Sequence, residues 1–276
     1  MDVTDFDHFL LTRFNVRIGK RADDSWLRHR LGYFERLCRQ SVLRQTTQNF
    51  RWLAYFDAER ESWFEREVER LADGVFEPIW VAGELTPDLS AASVAERSSA
   101  PWVITTRVDN DDALARDFIE QVQLQFRHQE TAEFINFSDG LQLSDGGKVF
   151  RRSDPSNAFI SLIEKRTKKC PIGVYIDRHD RVSKHAPMRQ VSTHPMWLQM
   201  VHGQNIGNTI RGVRAAPTIL AQYFEVDAVA APIMRFQLLG CQMVDIVSLG
   251  LRVIRKPHRI LWLFRVLRTR LTGGSR

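Results

Sequence analysis

Apolar residues recur along this chain with two alternating periods. From Trp26 to about Gln45, Leu27, Leu31, Phe34, Cys38 and Val42 step by three or four positions, with Arg28, Glu35, Arg39 and Arg44 between them. That spacing puts one apolar stripe on a helix and turns the charges outward. Phe64, Val68 and Leu71 repeat the pattern within Glu61–Ala72, which Asp73-Gly74 should stop. Between these helices lie short runs of apolar and β-branched residues: His8–Val16, Arg51–Phe56 closing on Asp57, and Phe76–Val81. They read as strands. Glu84–Pro101, rich in Ser, Ala and Pro, reads as a loop or a short irregular helix. A fourth strand, Val103–Val108, runs straight into Asp109-Asn110-Asp111-Asp112, and Leu114, Phe118, Val122 and Phe126 predict a helix immediately behind it. This alternation calls for a parallel sheet covered on both faces.

Beyond about residue 130 the elements shorten. Glu133–Phe137 reads as a strand, and Leu141–Leu143 and Val149–Arg151 flank Ser144-Asp145-Gly146-Gly147, whose Asp-Gly-Gly signals a hairpin. Phe159–Lys165 and Gly173–Asp177 suggest further short elements. The expected class is therefore α/β, a Rossmann-like mixed sheet with helices on both faces over residues 1–215. A helical, basic portion follows at 216–276, where Ile219–Phe224 and Ile233–Ile254 read as helices and Pro257 interrupts. His258–Leu271 then sets Ile260, Leu261, Trp262, Leu263 and Phe264 beside Arg259, Arg265, Arg268 and Arg270. Such a segment suits an anionic membrane surface, or a helix packed on the domain with its Arg residues in water.

Of 276 residues 43% are hydrophobic and 10% aromatic, which excludes general disorder. No uninterrupted apolar run reaches the roughly 18 residues of a membrane-spanning helix. MDVTDFDHF at the start has no apolar region of a secretory signal. Cys38, Cys170 and Cys241 are odd in number and far apart, which fits a reducing cytoplasm rather than a disulfide framework or a zinc site. Net charge is +6, yet Arg252–Arg276 alone holds seven Arg, one Lys and no acid. The body thus has no basic excess, which argues against nucleic-acid binding.

The acidic cluster after the fourth strand is the most informative chemistry. It would stand beyond the carboxyl ends of the strands, where ligands sit in open α/β folds. Mn2+ and Mg2+ prefer such oxygens and commonly bind through one or two carboxylates plus substrate phosphates. A metal bridge to a nucleoside diphosphate is one reading, and an Asp helix cap with acidic neighbours is the other. Arg13 and Arg107, at strand exits, could hold phosphate or base oxygens in a planar fork, or reach solvent. Asp57 could accept from a nucleotide base or ribose, or cap its own loop.

Seven stretches resemble, in order, a bacterial rhamnosyltransferase family that is itself similar to GT-A glycosyltransferases. They are LLTRFNV at 10–16, WLRHR at 26–30, FERLCRQSVLRQT at 34–46, FRWLAYFD at 50–57, VITTRVDNDDAL at 103–114, NAFISLIE at 157–164 and WLQMVHGQN at 197–205. The resemblance implies a GT-A-like domain in which Asp109 and Asp111 form a D-x-D pair. It also implies a Mn2+ or Mg2+ ion joining them to the donor diphosphate, with His202 completing the metal shell. Asp112 would be a helix cap, a third ligand or a donor contact. The implied donor is a nucleotide sugar such as dTDP-rhamnose, and the acceptor a glycan or a lipid-linked molecule.

An inverting transferase also needs a base for the acceptor hydroxyl. Glu164 is the first candidate and Asp139 the second, although Glu164 could be a solvated residue beside Lys165 and Arg166, and Asp139 an ordinary turn residue before Gly140. His179, His185, His194 and His202 fall within 24 residues but lack the spacing and the Cys or acid partners of a zinc site. Two other classes compete. A non-catalytic scaffold would use the basic tail on anionic lipid or nucleic acid. A nucleotidyltransferase would want a Gly-rich loop after the first strand, where residues 17–25 hold only Gly19.

Overall fold

The computed structural model describes residues 5–17, 19–167, 171–203 and 209–254, with the backbone alone described for residues 252–254. The chain runs β1 (Phe6–Arg13), α1 (Asp24–Tyr33), a π-helical turn (Phe34–Arg39) continuing into α2 (Gln40–Leu43), β2 (Arg51–Asp57), α3 (Ser62–Ala72), β3 (Glu77–Val81) and α4 (Pro87–Ala95). It proceeds through β4 (Trp102–Arg107), β5 (Ala113–Leu114), α5 (Phe118–Gln123), β6 (Glu133–Phe137), β7 (Asp139–Ser144), β8 (Val149–Ser153) and β9 (Ile160–Lys165). β10 (Met188–Val191), β11 (Trp197–Val201), β12 (Val213–Arg214), α6 (Thr218–Tyr223) and α7 (Arg235–Ile254) complete it.

Seven strands form the main sheet in the order β10-β6-β9-β4-β1-β2-β3, and five form a second sheet, β12-β8-β7-β11-β5. β1 to β4 are mutually parallel, and β9 enters antiparallel between β4 and β6. The alternating pleat sorts the core into two layers. Leu10, Trp52, Ala54 and Phe56 meet Leu27, Phe34, Phe64 and Val68 of the helices on one face. Phe9, Leu11, Leu53 and Tyr55 meet Val94 of α4 with Val174 and Val182 on the other. Both faces are covered, as the α/β pattern requires. The first layer continues past residue 215 through Ile219, Leu220 and Phe224.

Local signals explain most boundaries. Asp23 caps α1 by accepting from Trp26 N at 2.9 Å, and Thr86 caps α4 through Leu89 N with Pro87 in the first turn. Glu84–Pro101 therefore holds a regular helix. In the hairpin between β7 and β8, Gly147 takes φ +71° and its N–H donates to Ser144 O. Residues 173–177 form a turn rather than a regular element. The helix expected directly behind Asp112 is also corrected. Ala113 and Leu114 pair antiparallel with Leu198 and Trp197 of β11, and helix resumes only at Phe118. A two-residue strand that joins two sheets has no periodicity of its own, so the downstream helical spacing masked it.

Candidate active site

The order β4-β1-β2-β3 means that the chain leaves β1 to one side and returns on the other. The crevice beyond the carboxyl ends of β1 and β4 is thus a topological switch point. Arg13 ends β1 and Arg107 ends β4. Both guanidinium groups lie over the ring of Tyr175, at 4.8 and 5.2 Å. Tyr175 is itself fixed by donating its hydroxyl to Leu11 O at 3.1 Å, and burial pushes that hydroxyl up to about 12. Arg107 donates to Asp109 Oδ1 at 3.2 Å. Burial alone would weaken the acidity of Asp109, but Arg107 and Arg13 outweigh it and hold the carboxyl below its usual value.

These residues open onto a cavity of about 610 Å³. Arg152, Arg178, Arg211, Asp154 and Asp180 add charge to its walls. Its apolar side is Phe159 stacked on Trp197, with centroids 5.2 Å apart and planes inclined by 10°. Trp197 lies so close to Gly140 that a Cβ there would approach its ring to 2.1 Å. His179 completes the wall, its Nδ1 donating to Ser156 O at 2.6 Å. A carbonyl can only accept, so Nδ1 carries the proton and Nε2 is left as the basic atom.

Asp111 faces elsewhere. Its Oδ2 pairs with Arg30 of α1 and accepts from His202 Nε2 at 3.0 Å. His202 stacks on Tyr33 with centroids 4.6 Å apart and meets His29 edge-on at 5.2 Å. The Tyr33 hydroxyl donates to Asp145 Oδ1 in the β7–β8 hairpin and, through burial and that carboxylate, is pushed up to about 12. Burial, with His202 and Arg30 nearby, lowers the pKa of His29. Asn110 ties the loop down by accepting from Arg30 and donating to Phe14 O.

The predicted residues therefore divide. Arg13, Arg107 and Asp109 converge on the cavity; Asp111 and His202 meet each other outside its lining. Asp112 is no helix cap: its Oδ1 accepts from Met200 N at 2.8 Å, which welds the loop to β11. Burial, then Asp111 and Asp109, push its carboxyl well above the usual range, and it does not line the cavity. Asp57 accepts from Arg17 Nε at 2.8 Å and from Glu59 N at 3.0 Å, a loop cap outside the cavity lining.

Glu164 is corrected as a base. It pairs with Val103, at the start of β4, about 13 Å along the strand from Arg107. There its carboxylate accepts from Ile172 N and Gly173 N, and burial raises its pKa. β9 runs antiparallel to β4, which sends its last residues away from the site. Asp139 opens β7, accepts from Ser138 and Ser192, and also stands outside the cavity lining.

The implied cation finds no shell in this arrangement. Arg30 already neutralises Asp111, and Arg107 is on Asp109. Among the described residues no three His, Cys, Asp or Glu side chains are grouped to hold a metal ion. Tyr175 and His179, by contrast, had no motif to announce them; only a Tyr and a His in an irregular stretch mark them in the sequence.

The family described as "Putative rhamnosyl transferase" matches residues 9–214. A search of curated proteins gives no match. Among solved structures, S. aureus TarS 1-349 in complex with UDP is similar at 11% identity and TM-score 0.41, covering 72% of this chain and 61% of that one. The chain thus spans about three fifths of that TarS fragment. HddC from Yersinia pseudotuberculosis is similar at 9% identity and TM-score 0.36, over 69% of this chain and 91% of that one. The family match runs from within β1 to the end of β12 and takes in both halves of the crevice, so the chain belongs to this rhamnosyl transferase family of glycosyltransferases.

Proposed function

We propose that the chain transfers a sugar from a nucleoside diphosphate donor to a hydroxyl of a glycan or lipid-linked acceptor. One observation carries the reading: Arg13 and Arg107, both over the ring of Tyr175 at the switch point, line the cavity together with Asp109. Two planar guanidinium groups at strand ends suit the oxygens of a diphosphate. Rhamnose as the sugar, with dTDP-rhamnose as donor, rests on the family description alone.

Transfer passes through an oxocarbenium-like state while charge gathers on the departing diphosphate, as in glycoside hydrolysis. The bond from the anomeric carbon to the diphosphate oxygen breaks, and its electron pair leaves with the diphosphate. Arg13 and Arg107 neutralise that charge. The acceptor oxygen bonds to the same carbon and gives its proton to His179 Nε2, the basic atom left by the Nδ1 contact to Ser156. Asp154 and Asp180 suit this role less, since Arg152 and Arg178 already pair with them.

The test is calorimetric titration of dTDP and UDP into the parent chain and Arg13→Ala, with release of nucleoside diphosphate from a panel of nucleotide sugars. Equal affinity in both proteins would remove the donor from this cavity. The basic segment 252–276, whose contact with an anionic membrane is part of this reading, lies outside the described residues but for the backbone of 252–254.

A further inference from the structure

α7 turns a half-buried face of Leu238, Gln242, Asp245, Ser248 and Leu249 towards the domain. It is tied there by two hydrogen bonds: Asp245 Oδ2 accepts from Arg214 N at 2.8 Å, and Gln242 Nε2 donates to Arg214 O at 3.0 Å. The opposite face carries Phe236, Leu239, Met243, Ile246 and Val247, each between 56% and 68% exposed. Their spacing of three, four, three and one places them on a single stripe. The only acid of the helix is Asp245, which points at β12, so the stripe is apolar and free of negative charge. A helix of a water-soluble domain buries such a stripe; this one leaves it exposed. Exposed apolar surface of this kind marks a contact site.

The chain that follows supplies the second observation. Arg252–Arg276 holds seven Arg, one Lys and no acid, with Ile260-Leu261-Trp262-Leu263-Phe264 within it. Positive charge therefore follows the stripe along the sequence. A second copy of the chain would bring more of the same charge, whereas an anionic bilayer supplies both an apolar medium and the countercharge. Among the described residues no helix is long and apolar enough to cross a membrane. We infer that α7 lies in the plane of an anionic lipid surface with Phe236, Leu239, Met243, Ile246 and Val247 inserted and Gln242 and Asp245 holding the domain above it. This does not depend on the glycosyl-transfer reading.

The test uses the full chain and sedimentation with vesicles of phosphatidylglycerol and phosphatidylcholine, against phosphatidylcholine alone. The variant replaces Leu239, Met243 and Val247 together by Gln, which leaves the net charge and the β12 contacts intact. Circular dichroism and thermal unfolding check that it folds. The parent should partition at least tenfold more strongly to the anionic vesicles, and the variant should lose tenfold or more of that partitioning. Three results would overturn the inference. The variant could bind as the parent does, so that the basic segment acts alone. The parent could ignore vesicles and sediment as a dimer that the variant dissolves. Or the parent could stay monomeric and unbound, its stripe then being covered by its own residues 255–276.

Discussion

Arg30 of α1 closes an ion pair on Asp111 of the loop after β4, with the two side chains only 9% and 6% exposed. Sequence places them 81 residues apart. A buried pair gains little over apolar packing but is costly to break, because the abandoned charge stays desolvated. Arg30 also donates to Asn110, whose side chain reaches Phe14 O, so this one guanidinium sets the pose of the whole acidic loop against β1. Arg30→Met or Asp111→Asn alone should each cost about 3–5 kcal/mol, and the double variant should recover much of the loss. Urea denaturation in a double-mutant cycle measures the coupling; additive losses would mean that the pair is not formed in solution.

The same pair governs the response to divalent metal. With Arg30 in place Asp111 is neutralised, so the parent should bind Mn2+ weakly, and its affinity for nucleoside diphosphate should survive EDTA. Arg30→Met exposes Asp111 and His202 to a cation and should bind Mn2+ more tightly. Electron paramagnetic resonance of free Mn2+ reads both. Tight binding by the parent would show that the pair opens for a metal, restoring the D-x-D role to Asp111.

Donor binding should depend on Arg13 more cleanly than on Arg107. Arg13 acts on Asp109 only through space and forms no ion pair among the described residues, while Arg107 is buried and paired with Asp109 directly. A charge-assisted hydrogen bond contributes about 1.5–3 kcal/mol, or roughly 10–100-fold in affinity. Arg13→Ala should lose that much affinity for the nucleoside diphosphate without lowering the unfolding midpoint, whereas Arg107→Ala should lower both.

His179→Gln separates chemistry from binding. If Nε2 takes the acceptor proton, turnover should fall by about 10²–10⁴-fold while calorimetric affinity for the nucleoside diphosphate stays at the parent level. A variant that keeps the parent's turnover would pass the base to another wall of the cavity.

A stability prediction rests on β1. His8 accepts from Gln123 at Nδ1, so its proton sits on Nε2, 2.8 Å from Thr106 Oγ1. Burial lowers its pKa from 6.5 to about 3. Between those values the unfolded chain holds the extra proton, so stability is lost as pH falls through that window. From pH 7 to pH 5 the loss should be about 2 kcal/mol. His8→Gln keeps a donor near Thr106 and should lack that part of the acid sensitivity; equal slopes of unfolding free energy against pH in both proteins would refute it.

Local periodicity was enough to place β1, α1, β2, α3, β3 and the hairpin at Gly147, because each buries a regular stripe against the same core. It also put Arg13, Arg107 and Asp109 at strand ends, where a parallel sheet opens. Glu164 misled because a carboxylate at a strand end says nothing of strand direction: antiparallel pairing carried it to the wrong edge. Asp112 misled because its partner, Met200 N, belongs to another sheet. The α/β class and the acidic rim were thus properties of the chain itself, written in spacings of two and about four residues. Which acid faces the cavity, which one Arg30 neutralises, and that His179 and Tyr175 join them were decided by contacts across tens of residues. Such contacts depend on how the two sheets and α1 come together, and no local period encodes that geometry.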